Sequence, residues 1–265
     1  MDFEELVKTI NIKPYFKDDS VAIYNRDCRE ILPQLSNIET VITDPTWPDA
    51  NVKIVGHENP YQLFADMCRV IPRGTERLIV QLGCDSDPRF LGGIPKEWPF
   101  LRVCWLDYAR PSYKGRLLYT GDVAYAYGIP PAFIKGRQVM SGMCRSSRSD
   151  PNNLRHSHKP GSGGGRWTGR ADEDGLPHPC ARRLQHVEWL VHQFSDNVVC
   201  DPFMGSGTTL VAAKYLNRIS IGIEIKEEYC ELAVKRLSQS VMNFTQPPGP
   251  SGVHLIIQDA QESRE

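Results

Sequence analysis

The chain has 265 residues, 40% of them hydrophobic, enough for one large α/β domain or two small ones with a substantial core. No stretch approaches the roughly 20 consecutive apolar residues of a membrane span, so no membrane partner is expected, and the acidic, polar-interrupted opening MDFEELVKTINIKPYF does not read as a signal peptide. Net charge is −1, which argues against a protein coated in nucleic acid, and eight scattered cysteines fit a reduced, cytoplasmic setting with buried thiols.

In chain order, VAIYN (21–25) reads as a strand and CREILPQL (28–35) as a short amphipathic helix. TVIT (40–43) is a second strand, followed by a helix over 59–71 with Leu63, Met67 and Val70 or Ile71 on its inner face. RLIVQLG (77–83), FLRVCWLDY (100–108) and DVAYAYG (122–128) are further strands. Residues 129–177 break the pattern with GIPP, SRSDPNN and KPGSGGG, and a structureless stretch of that length inside a domain is usually functional or disordered. Regularity returns with a helix at 183–194, its Leu184, Val187, Leu190 and Val191 inward. Strand NVVCD (197–201), a glycine turn, helix 208–216, strand ISIGIEI (219–225) and helix 227–237 follow. Such alternation predicts an α/β fold built on a doubly wound, mostly parallel sheet. The tail from TQPPGP onward is too rich in Pro and Gly to prolong the last helix.

Two strand ends carry candidate chemistry. The first, TDPTWP (43–48), ends a buried strand on a carboxylate, two prolines and an indole; on its own it also reads as a turn. The second, DPFMGSGTT (201–209), is a strand end, a glycine turn and a helix start. Gly205 and Gly207 allow close backbone approach, and the helix N-terminus offers N–H groups to an anion. Glu224 ends the next strand, where an acid accepts bonds from a ribose. A Rossmann oxidoreductase would show these last two features as well.

The combination of NRDC and VITDPTWP upstream with HPCARRLQHVEWLV and DPFMGSGTTLVAAKYLNRISIGIEIKEEYCELAVKRL downstream resembles the amino DNA methyltransferases. The likeness is to their β-ordered group, in which the D-P-P-Y signature precedes the F-x-G-x-G signature. It is close over 178–237, fair over 20–83, and absent in 129–177. The resemblance implies a Rossmann-like S-adenosylmethionine-dependent methyltransferase fold, one domain over 1–265 with residues 129–177 as an inserted target-recognition region. Phe203, Gly205, Ser206, Gly207 and Thr208 would hold the methionine half of S-adenosyl-L-methionine, with Asp201 near its amino group, Glu224 on the ribose and Asp27 at the adenine edge. Asp27 equally suits the N-cap of the helix that follows it.

By the same resemblance, the Asp44 side chain and the Pro45 carbonyl would accept the N–H bonds of a flipped-out base, and Trp47 would stack on its ring. The implied reaction is methyl transfer to N6 of adenine in a specific sequence of double-stranded DNA. N4 of cytosine, or N6 of adenosine in RNA, is the alternative. Thr46 stands where the family has a second proline, and Trp47 where it has tyrosine. Arg182 and Arg183 replace the Lys-Pro of a downstream signature, which bears on how the helix after them is anchored. The setting implied is the cytoplasm of a bacterial or phage-infected cell, beside the nucleoid and within restriction–modification; a homodimer is compatible with it.

Charge supplies an independent pointer. Lys135, Arg137, Arg145, Arg148, Arg155, Lys159, Arg166 and Arg170 fall within 133–170 against the single acid Asp150, a local basic field on an acidic body. It reads as the DNA-contacting element or as a solvated loop. Three further readings are weaker. Pro179-Cys180 mimics a C5-cytosine nucleophile, but the glycine turn follows it instead of preceding it. Cys144, His156, His158, His178 and Cys180 match no compact zinc spacing, so no metal is expected. A cofactor-fold protein that binds nucleic acid without catalysis would tolerate Thr46.

Overall fold

The computed structural model describes residues 3–46, 59–83, 86–133, 141–146 and 182–241. Within them nine strands form one sheet: β1 (Phe16–Lys17), β2 (Val21–Tyr24), β3 (Thr40–Thr43), β4 (Arg77–Gly83), β5 (Phe100–Lys114), β6 (Leu117–Gly128), β7 (Met143–Arg145), β8 (Val198–Asp201) and β9 (Ile219–Ile223). Their order across the sheet is β1-β2-β9-β8-β3-β4-β6-β5-β7. The central run from β2 to β4 is parallel throughout, and β7 is parallel to β5. Antiparallel pairing is confined to β1 with β2 and to the β4–β6 and β6–β5 pairs. The expected mostly parallel, doubly wound α/β sheet is present.

Helices cover both faces, as a parallel sheet requires. Helices α1 (Phe3–Lys8), α2 (Cys28–Ile31) and α3 (Pro60–Val70) bury Leu6, Ile31, Phe64 and Met67 against Tyr24, Val41, Leu78, Val80, Cys200 and Ile221. On the opposite face lies α4 (Leu184–Phe194), which sets Val187, Leu190, Val191 and Phe194 against Ile42, Ile79, Cys104 and Val199. Ala124 and Ala126 on β6 are small enough for this cluster to close over them. Helices α5 (Thr208–Tyr215) and α6 (Glu227–Val241) pack Leu210, Cys230, Ala233 and Leu237 on Val21 and Ile23. Alternate residues of one strand thus feed two cores, which is the period-2 geometry of a strand buried on both sides.

Several boundaries differ from the sequence expectation. The inner face of α3 is Pro60, Phe64, Met67 and Cys68, with Leu63 only half-buried. The 28–35 helix is one α-turn followed by a 3-10 turn over Leu32–Gln34. The strands expected at 100–108 and 122–128 are the paired stems of a long hairpin turning at Gly115. Its register slips between Asp107 and Ser112, and Pro111 falls inside the slip, where a residue without an N–H is tolerated. Opposite, a Cβ on Gly121 would meet the Leu106 carbonyl oxygen at 2.5 Å, so the crossing needs glycine. Strand β7 falls within the segment expected to be irregular.

The chain leaves β3 toward β4 in one direction and leaves β8 toward β9 in the other. The β3–β8 boundary is therefore the switch point, where open α/β sheets bind ligands beyond the carboxyl ends of their strands. At the opposite end of the sheet the buried Arg77 guanidinium ties Glu39, Glu76 and the carbonyls of Ile129 and Phe194 together.

Candidate active site

Four carboxylates stand at the carboxyl ends of four of the five strands in the central parallel run, β2, β9, β8 and β3: Asp27, Glu224, Asp201 and Asp44 respectively. Asp201 is buried between the two inner strands. It accepts hydrogen bonds from Thr43 Oγ1 at 2.9 Å, Thr209 Oγ1 at 2.6 Å and the Phe203 N–H at 3.1 Å. Burial pushes its carboxyl up to about 7 in spite of these donors. The Thr43 bond crosses the switch point and fixes the end of β3 to the end of β8.

The glycine turn follows. Gly205 and Gly207 have φ of 51° and 76°, the left-handed region, and a Cβ on Gly207 would lie 2.8 Å from the Ala233 Cβ. Glu224 accepts from the Gly205 N–H at 3.0 Å and the Lys226 N–H at 2.9 Å, and burial raises its carboxyl above the usual range. Ser206 and Thr208 are buried, and their hydroxyls each receive a bond of 3.0 Å from Arg236 Nη1 on α6. The same nitrogen bonds the Ser206 carbonyl at 2.7 Å. Arg236 is a residue the sequence reading missed; it lies 30 positions downstream of Ser206, with no local pattern to mark it. Phe203 is half-buried against the α1–α3 core.

Asp27 is the N-cap of α2, accepting from the Arg29 N–H at 2.9 Å. The Arg29 guanidinium also grips both its oxygens, and this bonding holds the carboxyl below its usual range. Asn25 Nδ2 donates to the carbonyls of Glu224 and Ile225, so the ends of β2 and β9 are pinned together.

Asp44 emerges one residue past β3. Arg182, two residues before α4, meets it fork to fork: Nε to Oδ2 at 2.5 Å and Nη2 to Oδ1 at 2.7 Å. Its Nη1 turns to Asp122 Oδ2 on β6 at 2.9 Å. The other Asp122 oxygen accepts from the Tyr108 hydroxyl on β5. Arg183 lies over the Tyr108 ring, 3.7 Å from its centroid, and bonds Ser146 at 3.3 Å. Burial works against the charge of Arg182, but Asp44 and Asp122 outweigh it and raise its pKa. Burial also raises the Tyr108 phenol, with Asp122 adding to the shift. Arg183 is the N-cap residue of α4, so its stacking on Tyr108 anchors this helix where the family signature has proline.

The sequence reading thus finds Asp44, Pro45, Asp27, Asp201, Phe203, Gly205, Ser206, Gly207, Thr208 and Glu224 brought to one edge of the sheet. It missed Tyr108, Asp122 and Arg236, and saw Arg182 only as a retained charge. Arg145 sits on β7, exposed, 3.3 Å from Asp107. Trp47, Lys135, Arg137, Arg148, Arg155, Lys159, Arg166 and Arg170 lie outside the described residues, as do His156, His158, His178, Cys180 and the tail beyond 241. Among the described residues no group of three or more His, Cys, Asp or Glu is placed to hold a metal ion. No helix among them is long and apolar enough to cross a membrane.

A glycine turn on one strand end and a carboxylate on the next, at the switch point of a parallel sheet, is the arrangement of ligand-binding α/β folds, and solved structures share the fold. The PvuII cytosine-N4-specific DNA methyltransferase superposes with a TM-score of 0.60 at 16% identity, over 86% of this chain and 89% of its own. The M1.HpyAVI–SAM complex does so with a TM-score of 0.56 at 22% identity, over 82% and 98%. The profile of the DNA methylase family, N6/N4 type, matches residues 147–235. The type II methyltransferase M.BglII of Bacillus subtilis is 35% identical over 267 residues, 82% of this chain and 68% of that protein.

The chain belongs to the amino DNA methyltransferases. Similarity peaks locally: M.ScaI of Streptomyces caespitosus is 56% identical over 77 residues, 28% of this chain and 25% of its own. With M.HpaI and M.BamHII the matched segment spans 22% and 28% of the relative's length. The family profile begins at residue 147, inside the 129–177 segment, where the sequence reading saw no likeness.

Proposed function

We propose that this chain transfers a methyl group from S-adenosyl-L-methionine to the exocyclic amine of a flipped-out base in double-stranded DNA, with N6 of adenine as the target. The observation that carries the reading is the adjacency of Asp44 and the glycine turn across the β3–β8 boundary, locked by the 2.9 Å bond from Thr43 to Asp201. Methyl donor and methyl acceptor have to meet at one point, and this is the arrangement that puts their holders on neighbouring strands.

The donor set suits the cofactor. The N-terminus of α5 offers N–H groups to a carboxylate, the buried Asp201 suits an ammonium group, and Glu224 suits two ribose hydroxyls. Bound there, S-adenosyl-L-methionine supplies an electrophilic methyl group. The protein's own task is the amine, whose lone pair is delocalised into the base. The Asp44 carboxylate and Pro45 carbonyl would accept its two N–H bonds, favour a pyramidal nitrogen, and stabilise the positive charge that grows as the N–C bond forms and the S–CH3 bond breaks, its electron pair staying on the departing thioether. The surplus proton then leaves toward Asp44 or water. Trp47 offers the stacking face, and the basic residues of 129–177 grip the duplex, the segment acting as an insertion into a single domain.

An Asp leading the catalytic signature favours adenine over cytosine. Long-read sequencing of DNA from cells expressing the chain, scored for modified bases, tests this directly: N6-methyladenine in one sequence context is expected. N4-methylcytosine would reassign the base, and unmodified DNA would sink the reading.

A further inference from the structure

Asp44 is asked to receive a neutral amine, yet it is held by a cation. The fork from Arg182 takes one bond on each carboxylate oxygen. A carboxylate has about four acceptor positions, so the fork fixes the plane of the group without by itself excluding an amine N–H. The fork is in turn immobile. Its third nitrogen is tied to Asp122, only 6% exposed, and Asp122 is tied to Tyr108, which is capped by Arg183. Four side chains from β5, β6 and the start of α4 therefore decide the orientation of one carboxylate.

Resting on the reading of Asp44 above, we infer that Arg182 is a positioning residue for the target amine, and that Asp122 and Tyr108 are its brace. An isolated Asp one residue past a strand end would sample several rotamers, and its oxygens would face the amine only part of the time. A bidentate guanidinium allows one plane. A lysine at this position would keep the charge and lose the plane. The fourfold arrangement of Asp44, Arg182, Asp122 and Arg183 is also neutral in sum, so the carboxylate is ordered without an uncompensated buried charge.

The test measures steady-state tritium transfer from labelled S-adenosyl-L-methionine to DNA of a methylation-deficient bacterium, using the full chain. For Arg182→Ala, kcat should fall by about 10- to 100-fold, as expected when a reacting group loses alignment, with KM for DNA changed less than about threefold. Methylguanidinium added to the assay should restore part of that kcat, and should restore nothing in Asp44→Ala. Cofactor binding by calorimetry should match the unaltered protein. Arg182→Lys and Asp122→Asn should lower kcat in the same direction by smaller factors, and they decide the matter if Arg182→Ala does not fold. Unchanged kcat in all three variants overturns the inference. So does a gain in activity, which would make the contact a latch on the site. An active Asp44→Ala would overturn the reading of Asp44 instead, and so is told apart from a failure of Arg182 alone.

Discussion

The two halves of the site are built on different principles. On the β8–β9 side the binding elements are local: a strand end, a turn whose glycines sit in the left-handed region, and a helix that starts at Thr208. On the β3–β6 side the working group is assembled from residues 44, 108, 122 and 182, which meet only in the folded sheet. The first half is a backbone shape with a sequence signature. The second is a hydrogen-bond network whose members are individually ordinary. A backbone shape constrains which residues stand in a short window, whereas a network leaves each partner surrounded by unrelated neighbours.

The contrast is broken most sharply by Asp44→Ala. It should lower methyl transfer by at least about 100-fold, the scale of losing a preorganised acceptor at developing charge, while cofactor affinity measured by calorimetry stays unchanged. Glu224→Gln should do the reverse. The amide oxygen still accepts from Gly205 while its NH2 faces the Lys226 N–H, and with charge-assisted bonds worth about 1.5–3 kcal/mol lost, cofactor affinity drops by about 10- to 100-fold.

Replacing Arg145, Arg148, Arg155 and Arg166 together by alanine should touch neither half. DNA affinity near physiological salt should weaken by about tenfold or more, with a shallower dependence on salt, because fewer counterions are released on binding. Titrations over a range of salt concentrations check this, and an unchanged slope would reduce the segment to a solvated insertion.

The smallest effect concerns pH. Asp201 is raised from 3.8 to about 7, so the folded protein keeps a proton that the unfolded chain has lost. Its contribution to stability is full below 3.8 and disappears as pH rises through about 7. Asp18 and Asp27 are shifted the other way, so the stability they add is lost only as pH falls below their usual range. Between about pH 5 and about pH 8 the melting temperature should therefore decline by roughly a few degrees, and Asp201→Asn should flatten that decline.

How much was legible follows the same division. The alternation of strands and helices gave the sheet, and DPFMGSGTT with Glu224 gave the glycine turn and its acid, because each depends on neighbours in sequence. Asp44 was visible because it ends a buried strand. The brace was not: Tyr108 and Asp122 looked like the ends of two strands, and they meet only because β5 pairs with β6 in the register that sets Leu106 opposite Asp122. Strand β7, three residues long, and β1, two residues long, are too short to show a period. The inner face of α3 was misjudged at Leu63 because Phe64 and Cys68 define an equally regular stripe one residue on.

The row of acids along the strand ends has a consequence for the proposed encounter with DNA, a polyanion. Left bare, Asp27, Asp44, Asp201 and Glu224 would confront the phosphates with a line of negative charge, and exposed like charges repel over a distance of about 8–10 Å in physiological salt. The fold moderates that line from within. Asp27 is covered by Arg29, and Asp44 shares Arg182 with Asp122. Burial raises the carboxyl of Asp201 to about 7 and lifts that of Glu224 above its usual range, so each holds its charge less firmly than an exposed acid. This edge therefore shows less negative charge than four bare carboxylates would, which is what the approach of the duplex proposed above requires.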